Sequence, residues 1–184
     1  MSREPGLEPT PSQTIGPFFH DALLERDLME LVALNQPGAV RISGVVHDGA
    51  GDPVPDAMVE LWQADAAGRY GSDDFSGFGR SGTDADGRFS FVTVKPGPVP
   101  GPGGSFQAPH VNVLIFARGL LKQVTTRLYF QDDEEANAAD PVLTLIEDPA
   151  LRRTLIARYE GGESYRFDVY LQGEGQTAFF EFEG

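Results

Sequence analysis

The chain is predicted to be all-β, a two-sheet antiparallel β-sandwich preceded by an extended arm and a short helical segment. Three observations carry that prediction. Beyond residue 40 the sequence runs in short stretches of alternating apolar and polar residues, clusters of Gly, Pro and Asp separate them, and helical periodicity almost vanishes. Residues 1–184 read as one domain, in which 1–17 form the arm, 18–36 the helical segment and 39–184 the sandwich core.

The opening "MSREPGLEPTPSQTIG" is rich in proline and polar residues and has no apolar core, so it is an extended arm and not a signal peptide. In "HDALLERDLMELVAL", Leu23, Leu24, Leu28, Leu31 and Val32 fit one helical face, and "NQPGA" ends it. "VRISGVVHD" follows as a strand and gives way to a long turn, "DGAGDPVPD". In "AMVELWQAD", Met58, Glu60 and Trp62 share one face and Val59, Leu61 and Gln63 the other. "GTDADGRFSFVTVKPGP" is a turn and then a strand with Phe89, Phe91 and Thr93 on one side. The stretch Gly97–Gln107 is too dense in Gly and Pro to be regular, and it leads into His110. "HVNVLIFARG" and "QVTTRLYF" are two strands with a short connection, and "SYRFDVYLQGEG" and "QTAFFEFEG" close the chain.

Composition narrows the function classes. A chain of 184 residues, 40% of them hydrophobic, builds one well-packed core. The formal net charge of −14 argues against nucleic-acid and anionic-membrane partners, and it requires that any anionic substrate meet a specific cation. With no cysteine, disulfides, thiolate metal sites and a cysteine nucleophile are excluded. No run approaches the roughly 18 apolar residues of a membrane span. A soluble cytoplasmic protein is the default expectation.

Few residues suggest chemistry. Of the three histidines, His20 lies beside the helical segment and His47 at a strand end, both positions of ordinary surface histidines. His110 is different, because Asn112 two residues on points to the same face of the strand. His-x-His there would be a pair of metal ligands. His-x-Asn leaves open half a metal site, a lost one, or a strand with two polar residues on one side. There is no G-x-S-x-G and no H-x-D or H-x-E, and "GRSGTDADG" lacks the spacing of a phosphate loop. Arg118, in "IFARG", is equally a solvent-facing strand end or a guanidinium fork for a carboxylate.

Six segments taken together resemble the aromatic-ring intradiol dioxygenases. They are "TPSQTIGPFF", "VELWQADAAGRY", "TDADGRFSFVTVKPGP", "APHVNVLIFARG", "RLYFQDDEEANAADPVL" and "YRFDVYLQGEGQTAFFEF", in order from about residue 9 to 183. The resemblance implies a transthyretin-like (prealbumin-like) sandwich in an enzyme that holds ferric iron (Fe3+) with two tyrosinates and two histidines. It implies 3,4-dihydroxybenzoate and O2 as substrates, with ring opening between the two hydroxyl-bearing carbons to 3-carboxy-cis,cis-muconate. Carried over position by position, the tyrosines fall on Tyr70 and Val99 and the histidines on His110 and Asn112. Valine has no donor, and a neutral amide replaces neither a phenolate nor an imidazole, so this chain is expected to hold no metal alone.

That departure resembles the α chain of members built from two homologous chains, in which the β subunit alone carries the iron. By the same likeness Thr14, Ile15, Gly16, Pro17 and Arg118 line the substrate pocket at the interface with that β subunit, in an α–β hetero-oligomer. Tyr70 and His110 become remnants that pack or hydrogen-bond locally. Two other readings compete. One is a stand-alone transthyretin-like binding module without catalysis. The other is a self-sufficient dioxygenase that recruits new ligands, although Tyr129, Tyr159, Tyr165 and Tyr170 have no ligand motif around them.

Overall fold

Residues 22–25 and 28–181 are described by the structure, a computed structural model. Eleven strands follow in order: β1 (Ala39–His47), β2 (Met58–Gln63), β3 (Phe78–Gly82), β4 (Arg88–Val94), β5 (Val99–Pro100), β6 (Phe106–Gln107), β7 (His110–Phe116), β8 (Val124–Phe130), β9 (Ile156–Gly161), β10 (Ser164–Arg166) and β11 (Val169–Tyr170). Two short helices, α1 (Glu134–Ala139) and α2 (Pro149–Arg153), lie between β8 and β9.

The two-sheet antiparallel sandwich expected from the sequence does not form. Nine strands make one mixed sheet, ordered β11-β1-β10-β9-β8-β7-β2-β3 with β4 also on β1, and it curls into a nearly closed barrel. β5 and β6 form a separate two-stranded ribbon. β1 runs parallel to β10 and β11, and β8 parallel to β9. A parallel neighbour needs a long crossover to bring the chain back in the same direction, and the segment carrying α1 and α2 supplies one. Curling also hides strand edges that an open sheet would leave unpaired.

The remaining gap lies between β3 and β4, and the chain staples it. Leu28 bridges Arg80 of β3, and Glu30 bridges Val92 of β4. The amides of Arg80 and Val92 donate to the carbonyls of Leu28 (3.1 Å) and Met29 (2.8 Å), and the Leu31 amide donates to the Val92 carbonyl (2.9 Å). Within the stretch 18–36, read as helical from its periodicity, residues 28–31 are therefore extended. The unpaired backbone groups of β3 and β4 offer these residues long-range partners that outcompete a marginal local helix.

Inside the barrel the alternation of each strand puts one apolar face inward. Val40 and Ile42 of β1, Leu61 of β2, Phe89 and Phe91 of β4, Val111, Val113 and Ile115 of β7, and Leu128 and Phe130 of β8 form one buried cluster. Phe167 joins them from the irregular step between β10 and β11, where Gly44 is obligatory. A Cβ at Gly44 would lie 1.8 Å from the Phe167 carbonyl oxygen. A second apolar cluster, Ala108, Tyr129, Leu143, Leu155 and Ala178, lies apart from the barrel core. No helix of the described residues is long and apolar enough to cross a membrane.

Candidate functional site

Because Val111, Val113 and Ile115 belong to the barrel core, His110 and Asn112 face the other way. In the antiparallel register His110 lies opposite Tyr129 and Asn112 opposite Arg127, so all four side chains share the outer face of β7 and β8. β6 adds Gln107, and the loop after β2 adds Tyr70.

That loop is held firmly. The Asp65 carboxylate accepts from the amides of Ala67 and Arg69, each at 2.9 Å, and from Arg69 Nε at 3.0 Å. The Arg69 amide, foremost among these donors, keeps the Asp65 carboxyl below its ordinary range. Gly68 has φ +77°, and a Cβ there would meet the Pro98 carbonyl oxygen at 2.1 Å. The backbone of the Tyr70 loop thus lies directly on the residues preceding Val99. The Tyr70 ring stacks on Trp62 with centroids 5.8 Å apart.

Hydrogen bonds link the face into one network. Asn112 Nδ2 donates to the Tyr70 hydroxyl and to the Trp62 carbonyl, both at 3.3 Å, while Asn112 Oδ1 accepts from Arg127 Nε at 3.1 Å. Arg127 Nη1 donates to Gln107 Oε1 at 2.7 Å and to the Tyr129 hydroxyl at 3.4 Å. The Tyr129 hydroxyl in turn donates to Asp140 Oδ1 at 3.2 Å. Asp140, fully buried, also accepts from the amides of Ala108, Val142 and Leu143 at 2.8 to 2.9 Å. His110, 3% exposed, has Nδ1 2.8 Å from the Ala108 carbonyl, a geometry that makes Nδ1–H the donor. Burial pulls the imidazole down to about 4, and the Arg127 charge acts in the same direction. Burial also raises the Tyr129 phenol. Both groups are neutral at ordinary pH.

The structure therefore places three of the degenerate ligand positions around one face and ties the fourth to it through Gln107. Tyr70 touches Asn112, His110 shares the face of Asn112, and buried Val99 lies opposite Gln107 in the β5–β6 ribbon. The arrangement does not fit ferric iron. That ion needs anionic oxygen donors, yet Val99 offers none and both ends of the Asn112 amide are already bonded. A guanidinium lies among these groups, held by three neutral acceptors. Among the described residues it has no ion-pair partner at 4 Å or less. Arg127 is thus the resident cation of the face.

Arg118 is not part of this cluster. It lies beyond the far end of β7, with the length of that strand, roughly 20 Å, between it and His110, its Nε 3.1 Å from the Asp56 carboxylate and its side chain 68% exposed. Thr14, Ile15, Gly16 and Pro17 lie outside the described residues. A cavity of about 710 Å³ opens beside the β3–β4 seam, but its arginines are spoken for. Arg80 pairs with Glu60, Arg88 with Asp86 and Arg166 with Asp168. Gln107, Arg127 and Asp140 escaped the sequence reading, and Tyr129 entered it only as a tyrosine without a ligand motif. Two of them had a signal: counting equal steps outward from the short β7–β8 connection places Arg127 beside Asn112 and Tyr129 beside His110.

Comparison with known proteins agrees with this architecture. Residues 15–173 match the family described as Dioxygenase, and the chain belongs to it, as an intradiol dioxygenase. The chain is 45% identical to the protocatechuate 3,4-dioxygenase alpha chain of Pseudomonas putida, over 96% of this chain and 98% of that one. It is 33% identical to the beta chain of the same enzyme from Burkholderia cepacia, over 90% of this chain and 77% of the beta chain. Among solved structures it superposes on the dioxygenase domain of a dioxygenase–carbohydrate-binding fusion from Streptomyces sp. SirexAA-E. The TM-score is 0.61 at 30% identity, covering 90% of this chain and 99% of that domain.

Proposed function

We propose that the chain is the iron-free α-type subunit of a cytoplasmic, heteromeric protocatechuate 3,4-dioxygenase. The observation that carries this reading is the pairing of high identity to alpha chains with a ligand face in which a guanidinium and an amide stand among the family's donor positions. A homologous β-type partner holds the ferric iron and supplies the redox chemistry. The assembled enzyme adds O2 to 3,4-dihydroxybenzoate and opens the ring between the hydroxyl-bearing carbons, giving 3-carboxy-cis,cis-muconate.

The contribution of this chain is to shape the pocket and the assembly. Thr14, Ile15, Gly16 and Pro17 form one wall of the partner's site, and Arg118 recognises the substrate carboxylate. A chain of net charge −14 repels an anionic substrate unless a cation is placed at the site. A guanidinium matches a carboxylate with two parallel hydrogen bonds. The existing Arg118–Asp56 pair is no obstacle, because so exposed a pair is worth at most about 1 kcal/mol.

The test is oxygen uptake with 3,4-dihydroxybenzoate for this chain alone, and for this chain co-expressed with an iron-binding β-type partner. Uptake by the complex and none by the chain alone is the expected result. Ring cleavage by the chain alone would overturn the proposal.

A further inference from the structure

Two explanations separate this face from a metal site, the loss of donors at Val99 and Asn112 and the presence of Arg127. They are distinct, and the geometry points to the second as sufficient. We propose that Arg127 locks this face against metal ions, so that restoring a donor at position 112 does not restore binding while the guanidinium remains. The inference deepens the reading of the chain as the iron-free subunit and rests on it for the assignment of the donor positions.

Three observations carry it. Arg127 lies directly opposite Asn112 in the β7–β8 register, and its Nε is 3.1 Å from Asn112 Oδ1. Any donor side chain at position 112 therefore lies directly beside a fixed positive charge. The guanidinium is also anchored on a second side by Gln107 at 2.7 Å, so it spans β6, β7 and β8 and has little freedom to swing away. Finally, its direct partners here are the neutral Asn112, Gln107 and Tyr129, and the Asp140 carboxylate reaches it only through the Tyr129 hydroxyl, so its charge is offset only in part towards an incoming cation. A metal bound a coordination distance from position 112 would sit within a few ångströms of that charge, in half-buried surroundings where repulsion is poorly screened.

The other donors remain usable. His110 commits Nδ1 to the Ala108 carbonyl, which fixes the orientation of the ring and leaves Nε2 for a metal. The Tyr70 hydroxyl accepts from Asn112 and is 3.3 Å from its amide nitrogen. Asn112→His would place a third donor between them.

The experiment titrates Co2+ into three purified chains, the wild type, Asn112→His, and Asn112→His combined with Arg127→Gln. Binding is followed by the visible spectrum of the ion and by metal content after dialysis. The expected result is no stoichiometric binding by the first two and one equivalent by the double variant, at least ~100-fold tighter than Asn112→His alone. Equal affinity of Asn112→His and the double variant would overturn the lock. Stoichiometric binding by the wild type would overturn the iron-free reading itself, so the two failures are distinguishable. Should Arg127→Gln fail to fold in this background, Arg127→Met keeps an uncharged stem of similar volume and carries the same expectation. If neither folds, the guanidinium holds the structure and does not guard a site, and the proposal is wrong.

Discussion

On the inward face of β7, Val111, Val113 and Ile115 pack against Phe91 and Leu128 with no polar atom to satisfy. On the outward face, His110 and Asn112 lie among Tyr70, Arg127, Tyr129 and Asp140, where directed hydrogen bonds and a charge join the polar groups and ring contacts fill in around them. The two faces share one backbone but follow different physics. Burial of apolar area is non-directional, so the inner face tolerates a change of shape at fixed volume. A buried polar group that loses its partner bears the full cost of desolvation, so the outer face tolerates almost no change of chemistry.

Four predictions break or sharpen that contrast. Asp140→Asn is nearly isosteric, but even when its oxygen keeps Tyr129 and the amides of Val142 and Leu143, its NH2 faces the Ala108 amide, which already donates, and a neutral acceptor replaces a charged one. It is expected to cost on the order of 3 to 4 kcal/mol in denaturant unfolding.

His110 is expected to contribute an acid limb of slightly smaller size. Its folded value of about 4 lies below the ordinary 6.5, so the unfolded chain takes up the proton first as pH falls. Stability is full above pH 6.5 and declines between about 6.5 and 4, by roughly 3 kcal/mol at most. His110→Gln should remove that limb, and an unfolding series across this window checks it.

Phe91→Leu, at a position with no exposed area, replaces one apolar group by another. Its expected cost is only about 1 kcal/mol, and a loss as large as that of Asp140→Asn would erase the contrast between the faces. Smallest of all is Arg118→Ala, which should change stability by less than about 0.5 kcal/mol because the Asp56 pair is exposed. In the assembled enzyme the same substitution should raise KM for 3,4-dihydroxybenzoate by roughly 10-fold or more. An unchanged KM would remove Arg118 from the pocket.

The inner face was legible in the sequence. Val59 and Leu61, and Phe89 and Phe91, were placed on shared faces by alternation alone, and all four are buried together. Alternation did not distinguish a sandwich from a barrel, since each asks a strand for one apolar face. What decides is the partner of β1, which is β10 from the far end of the chain. No local pattern encodes such a pairing. The helical reading of residues 18–36 failed at Leu28–Leu31 for the same reason, because their partners on β3 and β4 are distant in sequence.

The outer face was half legible. Tyr70, Val99, His110 and Asn112 were identified through likeness to a family, and the structure puts Tyr70, His110 and Asn112 around one face, with Val99 tied to it through Gln107. Arg127 was passed over because a lone arginine in "TTRLYF" carries no motif, although its register with Asn112 follows from the short connection. Asp140 was hidden in the acidic run "QDDEEANAAD", where only the fold shows that one carboxylate of the run is fully buried.

The central claim is that this chain holds no catalytic iron and that its partner does. Iron content and visible absorbance, measured on the chain purified alone and then with a β-type partner, test it most directly, since tyrosinate bound to ferric iron is strongly coloured. The account predicts a colourless, iron-free chain and a coloured, active complex. Stoichiometric iron and colour in the chain alone would contradict it.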